Sequence, residues 1–288
     1  MSSENSYEPV NLFFTVNEPE NGADSMKCPI IFVHGFFTTN RSWNIVKHKI
    51  ANKTKRKVYS IDLRNHGQSE YSEHFTVKYV MADIENFMKS QHIAKAVLVA
   101  HSIGSKPMMA LALEKPELVE KLVVEDMVVE DPENHPEVTK KMLLFTKVCD
   151  RYIRNAPANM PENELHQRIL PLVKQFYPEV SESYSLTKLP LKKDQSGKLT
   201  WDLNVNAVMD HLENPVTFRL NLSSNPKYLG NILFLYGEKS PIKIEENKGI
   251  ALKYFPNAQF YVFKGGFHTF HMEFSELFTE VVSEFINE

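Results

Sequence analysis

The stretch that most constrains the fold of this chain runs from residue 96 to residue 113. Residues 96–99 are the apolar run Ala-Val-Leu-Val, which is typical of a strand buried in a parallel sheet. A turn of small residues around Ser102 follows, and residues 106–113, which are apolar except for Lys106, have the length of a buried helix. This order predicts a nucleophile elbow, in which the Ser102 hydroxyl projects above the sheet edge beside a helix N-terminus. The alternative is that Ser102 only caps the helix, but the strand before it favours the elbow.

Strand-like and helix-like segments alternate along much of the chain. The predicted strands are residues 10–16, 28–33, 57–63, 96–99, 122–124, 231–237 and 258–263. The predicted helices between and after them are residues 75–92, 106–113, 244–254 and 275–287. This alternation predicts an α/β fold, with an open, mostly parallel sheet and helices on both of its faces. Functional sites in such sheets lie at the carboxyl ends of the strands.

Residues 128–226 differ in composition from the rest of the chain. They are rich in Lys, Glu, Asn and Pro, and they lack runs like the earlier strands. Helix-length segments occur within them at residues 139–154, 162–176 and 205–211. We interpret this region as a helical cap inserted into an α/β core that residues 1–127 and 227–288 form.

Composition argues against several classes of protein. The 288-residue chain carries a formal charge of −3 from 33 basic and 36 acidic residues, which does not indicate nucleic-acid binding. Its two cysteines are too few for a disulfide framework or a zinc site, and they fit a reducing compartment. No apolar run approaches the length of a membrane span. Because no basic residue precedes Lys27, we expect neither a secretory signal nor a mitochondrial presequence, and an intracellular, cytoplasmic protein is favoured.

A base for Ser102 must be a histidine that titrates near neutral pH. The chain has 11 histidines, and His268 lies in a glycine-flanked loop after the last predicted strand. That position completes the chain order of serine, acid and histidine. His271 is the competitor three residues further on, where the first turn of a helix would let it pack or form a hydrogen bond. We predict that His268 is the base.

Three acids follow the ends of predicted strands and could orient the histidine. Glu125 and Asp126 follow the strand after the elbow helix, and Glu238 follows the strand at residues 231–237. Asp126 is the leading candidate, Glu238 the second and Glu125 the third. A polar network that holds a loop is our interpretation of three further polar residues near the end of the strand at 57–63: Asp62, Arg64 and His66.

The loop after the strand at residues 28–33 is predicted to face the elbow. We expect the N–H groups of Phe36 and Ile103 to form an oxyanion hole, with an ordinary tight turn as the alternative. Phe37, and Phe145 from the cap, are predicted to bind substrate in an apolar acyl pocket that prefers short or medium uncharged chains. The alternative for each of these two rings is a place in the core of the sheet or of the cap.

Several motifs of this chain resemble one family. They are Asp-x-Arg-x-His-Gly-x-Ser at residues 62–69, Lys-Pro-Glu-Leu-Val-Glu-Lys-Leu-Val at 115–123, Trp-Asp-Leu-Asn at 201–204 and the two histidines at 268 and 271. With the elbow serine, they resemble the α/β-hydrolase superfamily from about residue 29 to the C-terminus. Within it, they are similar to the branch of alpha/beta-hydrolase domain-containing protein eleven and the yeast ethanol-acetyltransferase-like proteins.

The resemblance implies the α/β-hydrolase fold and places the triad acid after the strand that follows the elbow helix, which here gives Asp126. Many serine hydrolases of this fold carry an Asp where this chain has Ser240, and Ser240 cannot carry the charge. Ala100 stands where the family usually has Gly, and it is small enough for the elbow to close. The resemblance also implies a mitochondrial location.

These observations together predict a serine hydrolase that cleaves carboxylic esters through an acyl-enzyme, with acyl transfer or thioester cleavage as related activities. The rival hypothesis from another class is a degenerate hydrolase that binds a small apolar ligand under its cap. Neither a cofactor nor a metal is implied, and the expected partner is a small-molecule ester. The oligomeric state does not follow from the sequence.

Overall fold

The computed structural model describes residues 7–130, 136–177, 189–214 and 218–288. Its strands are β1 (Phe14–Asn17), β2 (Ile30–Val33), β3 (Val58–Ile61), β4 (Ala96–His101), β5 (Val119–Glu125), β6 (Leu191–Lys193), β7 (Leu199–Trp201), β8 (Asn231–Gly237) and β9 (Ala258–Phe263). Its helices are α1 (Lys47–Thr54), α2 (Val77–Ser90), α3 (Ser105–Glu114), α4 (Pro136–Arg154), α5 (Glu162–Phe176), α6 (Val205–Glu213), α7 (Ile244–Tyr254), α8 (Phe270–Glu273) and α9 (Ser275–Asn287).

Seven of these strands form one sheet in the order β1-β3-β2-β4-β5-β8-β9. Only β1 is antiparallel to its neighbour, and every other pair in this sheet is parallel. The predicted α/β fold with a mostly parallel sheet is therefore confirmed. Within the described residues, no helix is long and apolar enough to cross a membrane.

The two faces of the sheet are covered by different helices. In β2, Ile31 and Val33 contact the apolar cluster that α2, α3 and α7 complete. Ile30 and Phe32 point to the other face, where α1 and α9 close a second cluster. Alternate side chains of a strand face opposite sides, so a strand covered on both sides must be apolar throughout. All four residues of β2 are accordingly buried.

The chain between β5 and β8 contains α4, α5 and α6, where the sequence predicts a helical cap. It also contains a two-stranded antiparallel sheet of β6 and β7, which the sequence analysis did not predict. Each of these strands has three residues, too few to give a readable alternation of apolar and polar side chains. The helices and the small sheet enclose their own apolar cluster. The division into a core and a cap at residues 128–226 stays a prediction.

The parallel strands deliver the predicted site residues to one edge. Phe36 follows β2, Ser102 follows β4, Asp126 follows β5, and His268 follows β9. Because β2, β4, β5, β8 and β9 run in the same direction, their carboxyl ends lie at the same edge of the sheet. Four positions that are far apart in the chain thereby become neighbours.

Candidate active site

The turn that carries Ser102 is sharply bent and tightly packed. Ser102 has φ 53°, the left-handed region that a residue with a Cβ seldom adopts, and a single 3₁₀ turn leads from it into α3. A Cβ on Gly104 would lie 2.3 Å from the carbonyl oxygen of His34, and one on Gly35 would lie 2.9 Å from the Cβ of Ser102. The elbow and the loop after β2 can therefore approach each other only because both positions are glycine.

Ser102, His268 and Asp126 form one continuous chain of hydrogen bonds. The Oγ of Ser102 lies 2.9 Å from Nε2 of His268, and Nδ1 of His268 lies 2.5 Å from Oδ2 of Asp126. Since a carboxylate only accepts hydrogen bonds, we assign the imidazole proton to Nδ1. Nε2 then keeps a lone pair that can accept the proton of the Ser102 hydroxyl.

Asp126 is fully buried and is held by several backbone and side-chain contacts. Its backbone has φ 52°, and its N–H donates to the carbonyl of Leu235 on β8 at 2.8 Å. Its carboxylate accepts a hydrogen bond from the N–H of Gly237 at 3.3 Å and another from the Ser240 hydroxyl. Ser240 thus contacts the acid from the neighbouring strand end, a contact that sequence reasoning did not find.

Glu238, the second candidate for the acid, lies in a different environment. Its carboxylate accepts the N–H of Gly265 at 2.8 Å and lies 3.5 Å from Nζ of Lys264. These two contacts, together with the Lys264 charge, hold the pKa of Glu238 below its usual value. The structure brings Asp126, and not Glu238, into contact with the imidazole of His268.

The pKa of His268 is set by opposing effects. Burial favours the neutral imidazole, but the hydrogen bond and charge of Asp126, with the charge of Glu273, outweigh it and raise the pKa. The loop itself is fixed on both sides of this residue. Glu273 accepts the N–H of Phe267 at 3.0 Å and the hydroxyl of Thr269 at 3.1 Å.

His271 lies beneath the site and contacts Glu125 instead of Ser102. One oxygen of Glu125 is 3.1 Å from the backbone N of His271 and 2.8 Å from its Nδ1. Both side chains are almost completely buried, at 0 and 1% exposure. Burial raises the pKa of Glu125 to about 8 and lowers the pKa of His271 to about 3.

His101 completes this buried group and was not singled out by sequence reasoning, although it directly precedes Ser102. Its Nε2 lies 2.9 Å from the carbonyl oxygen of His268, and burial lowers its pKa to about 3. His101, Glu125 and His271 are close enough for a metal, with ligand atoms within 4.8 Å of one another. Hydrogen bonds already use one atom of each of these side chains.

The N–H groups of Phe36 and Ile103 lie beside the elbow. In the described part of the chain, neither N–H donates to a protein acceptor. Phe36 directly follows Gly35 and Ile103 directly follows Ser102, so both lie next to the close approach of the two turns, and their role as an oxyanion hole stays a prediction. An N–H group without a protein partner at this position is what an oxyanion hole requires.

The two rings predicted to bind substrate have different surroundings. Phe37 is half-buried and lies 6.2 Å, between ring centroids, from Trp201 of β7. Phe145 of α4 is 7% exposed and packs 5.6 Å from Phe176 and 5.3 Å from Tyr177. The contacts of Phe145 are those of a residue in the apolar cluster of the cap, and its predicted role in substrate binding stays a prediction.

The polar residues after β3 form the network that the sequence suggested. Asp62 accepts hydrogen bonds from Asn40 and from the N–H of Gln68. Arg64 makes a two-pronged ion pair with Asp83 in which both side chains are completely buried. These contacts hold the loop, and none of these bonds of Asp62 or Arg64 involves Ser102.

The fold is that of a hydrolase family. The model of the alpha/beta hydrolase fold family matches residues 29–275, and the chain therefore belongs to this family. An esterase from a marine microorganism shares the fold with a TM-score of 0.75 and 23% identity, over 96% of this chain and 99% of that one.

Within the family, the similar proteins include lipases and acyltransferases by name. The sn-1-specific diacylglycerol lipase ABHD11 of Danio rerio is 27% identical over 266 residues, which cover 92% of this chain and 79% of that protein. Ethanol acetyltransferase 1 of Hanseniaspora uvarum is 25% identical over 241 residues, covering 80% of this chain and 71% of that protein. The resemblance drawn from the sequence motifs is thereby confirmed.

Proposed function

We propose that this protein is a serine hydrolase that cleaves carboxylic esters through an acyl-enzyme intermediate. Ser102 is the nucleophile, His268 is the general base and Asp126 orients the imidazole. The observation that carries the proposal is the hydrogen-bonded chain from Ser102 through His268 to Asp126. With the Nδ1–H of His268 donating to Asp126, Nε2 is left to accept the proton of the Ser102 hydroxyl.

The first half of the reaction forms the acyl-enzyme. The Oγ of Ser102 attacks the ester carbonyl carbon while its proton moves to Nε2 of His268, and the carbonyl oxygen becomes an oxyanion. The N–H groups of Phe36 and Ile103 donate to this oxyanion, and the Asp126 carboxylate offsets the charge of the imidazolium. The carbon–oxygen bond to the alcohol then breaks, and the proton on Nε2 passes to the leaving alkoxide.

The second half releases the acyl group. Water gives a proton to Nε2 of His268 and attacks the acyl carbon, the bond to Ser102 breaks, and the proton returns to Oγ. An alcohol in place of water would give a new ester, and a thioester substrate would use the same acyl-enzyme. The names of the similar lipases and acetyltransferases support ester chemistry of this kind.

The cap at residues 128–226 is proposed to cover this edge and to select the acyl group. Its support is that cap residues contact the loop after β2. Trp201 lies beside Phe37, and the ring of His211 lies 5.2 Å from that of Phe36. An apolar surface next to the oxyanion hole would favour short or medium uncharged acyl chains.

Covalent labelling tests the proposal. A fluorophosphonate should add one adduct to the intact protein, as read by mass spectrometry, and should abolish the turnover of p-nitrophenyl esters. Ser102→Ala should fold normally, take up no adduct and lose roughly 10⁶-fold in kcat. Ser90→Ala, at the end of α2, is the matched control and should label and turn over like the original protein.

The same assay distinguishes the proposed hydrolase from the rival hypothesis. A degenerate hydrolase that only binds a ligand would take up no adduct in any variant. Added ethanol should divert part of the acyl-enzyme into an ethyl ester if alcohols compete with water, which measures the acyltransferase branch.

A further inference from the structure

A second set of polar residues lies directly beneath the three residues of the proposed triad. His101 precedes Ser102, Glu125 precedes Asp126, and His271 lies three residues after His268. His101 and Glu125 are register partners on the adjacent strands β4 and β5. The three side chains are 3, 0 and 1% exposed, so this buried layer is out of reach of substrate.

The buried layer binds the loop of His268 from two strands at once. From β5, one oxygen of Glu125 accepts both the backbone N–H and Nδ1–H of His271. From β4, Nε2–H of His101 donates to the carbonyl oxygen of His268 itself. The ring of Trp43 packs against the ring of His271, with centroids 4.4 Å apart.

The polar character of this layer needs an explanation. Apolar side chains would fill the same volume without the cost of burying a carboxyl and two imidazoles. One oxygen of Glu125 and Nε2 of His271 have no hydrogen-bond partner in the described structure, which adds to that cost. A displacement of about 1 Å in a catalytic group can cost about a hundredfold in rate. The hydrogen bonds from this layer to the His268 loop are the contacts that can prevent a displacement of that size.

We propose that Glu125, His271 and His101 are positioning residues, whose hydrogen bonds hold the imidazole of His268 between Ser102 and Asp126. The inference rests on the proposed function for its kinetic readout, but the position of His268 can be measured without any activity.

Two substitutions at Glu125 separate positioning from stability. Glu125→Ala removes the acceptor for both hydrogen bonds of His271, and kcat should fall by about tenfold to a hundredfold with little change in KM. Glu125→Gln keeps an acceptor oxygen and should retain most of kcat, even where its buried amide N–H lowers the melting temperature. His101→Phe keeps a ring but removes the donor to His268, so it should also lower kcat. It provides the test if Glu125→Ala fails to fold.

The position of His268 is read by NMR. The titratable and charged groups around its imidazole are His101 on β4, Glu125 and Asp126 at the end of β5, and His271 and Glu273 on α8, beside the Ser102 hydroxyl. The Nδ1–H resonance, assigned by its loss in His268→Asn, should move or broaden in Glu125→Ala and in His101→Phe. Because weaker contact with Asp126 lowers the pKa of His268, the acid limb of kcat/KM should shift to lower pH.

The matched control breaks a buried ion pair elsewhere. Asp83→Asn weakens the contact with Arg64, and it should lower stability while the Nδ1–H resonance and the acid limb stay in place. An unchanged Nδ1–H resonance in both Glu125→Ala and His101→Phe would overturn the positioning role, whether or not the protein cleaves esters. Equal losses of kcat in Glu125→Ala and Glu125→Gln would overturn it too. Absence of any labelling or turnover in the original protein would instead contradict the proposed function.

Discussion

The edge of the sheet that carries the proposed triad and the region predicted to be a cap are built in different ways. At this edge, Ser102 and Asp126 follow the buried strands β4 and β5, His268 follows the half-buried edge strand β9, and neighbouring strands hold one another in register. The cap, in contrast, encloses a separate apolar cluster with amphipathic helices and a two-stranded sheet. The first arrangement holds side chains close enough to form hydrogen bonds with one another, and the second supplies an apolar surface.

Besides the ring contact of Phe36 with His211, polar contacts join the two regions near β7. The N–H of Gly67 donates to the carbonyl of Asp202 at 2.8 Å, and the N–H of Asn204 donates to the carbonyl of Asn65 at 2.7 Å. Arg41 also forms an ion pair with Asp202. We therefore expect changes at the edge to alter kcat, and changes in the cap to alter stability, KM and acyl preference.

The proposed acid of the triad gives the largest expected effect in this comparison. Asp126→Asn should keep the fold and lower kcat by up to roughly ten-thousandfold, because an amide cannot hold the imidazole in the required tautomer. Glu238→Gln, at the end of the next strand, is the matched control and should change kcat little. The measurement is turnover of one p-nitrophenyl ester at one pH by both variants, and a crippled Glu238→Gln beside a normal Asp126→Asn would reverse the assignment.

The pH dependence tests the electrostatics of the same edge. Attack by Ser102 needs neutral His268, so kcat/KM should fall as the pH drops through the pKa of this imidazole. Asp126 raises that pKa above its ordinary value of 6.5, so the half-maximal point on the acid side should lie above pH 6.5. A midpoint at or below 6.5 in steady-state kinetics would mean that the contact with Asp126 does not dominate in solution.

Truncation of Phe145 tests whether the cap ring packs or binds substrate. Phe145→Ala should lower the free energy of unfolding by about 3–5 kcal/mol, because it opens a cavity in the apolar cluster. If packing is its only role, kcat and the preference for butyryl over succinyl esters should be unchanged in the folded enzyme. A changed acyl preference at constant stability would instead favour the predicted role of Phe145 in the acyl pocket.

The ion pair between the core and the cap gives the smallest expected effect. The Arg41 side chain is 60% exposed, and exposed ion pairs contribute about 0.2–1 kcal/mol. Arg41→Gln should therefore change KM by less than about fivefold and leave kcat alone. The difference should shrink in high salt, which screens exposed charges.

Much of the fold follows from the sequence because its signals are local. The predicted segments at 231–237, 244–254, 258–263 and 275–287 coincide with β8, α7, β9 and α9. Each has a period or an apolar run long enough to identify it without knowledge of its neighbours. The hairpin of β6 and β7 was missed because three-residue strands carry too little pattern and depend on packing against α4.

The sequence likewise pointed to the candidate residues but not to the contacts between them. Chain order, a turn motif and the family resemblance were enough to propose Ser102, Asp126 and His268 as candidates, since parallel strands bring their carboxyl ends to one edge. The sequence could not determine that Ser240 would donate to Asp126, or that Glu125 would bind His271 across 146 residues of chain. Those contacts depend on which strand ends become neighbours and how their side chains are buried. Only the tertiary structure decides that, because hydrogen-bond geometry is set in space and leaves no period in the chain.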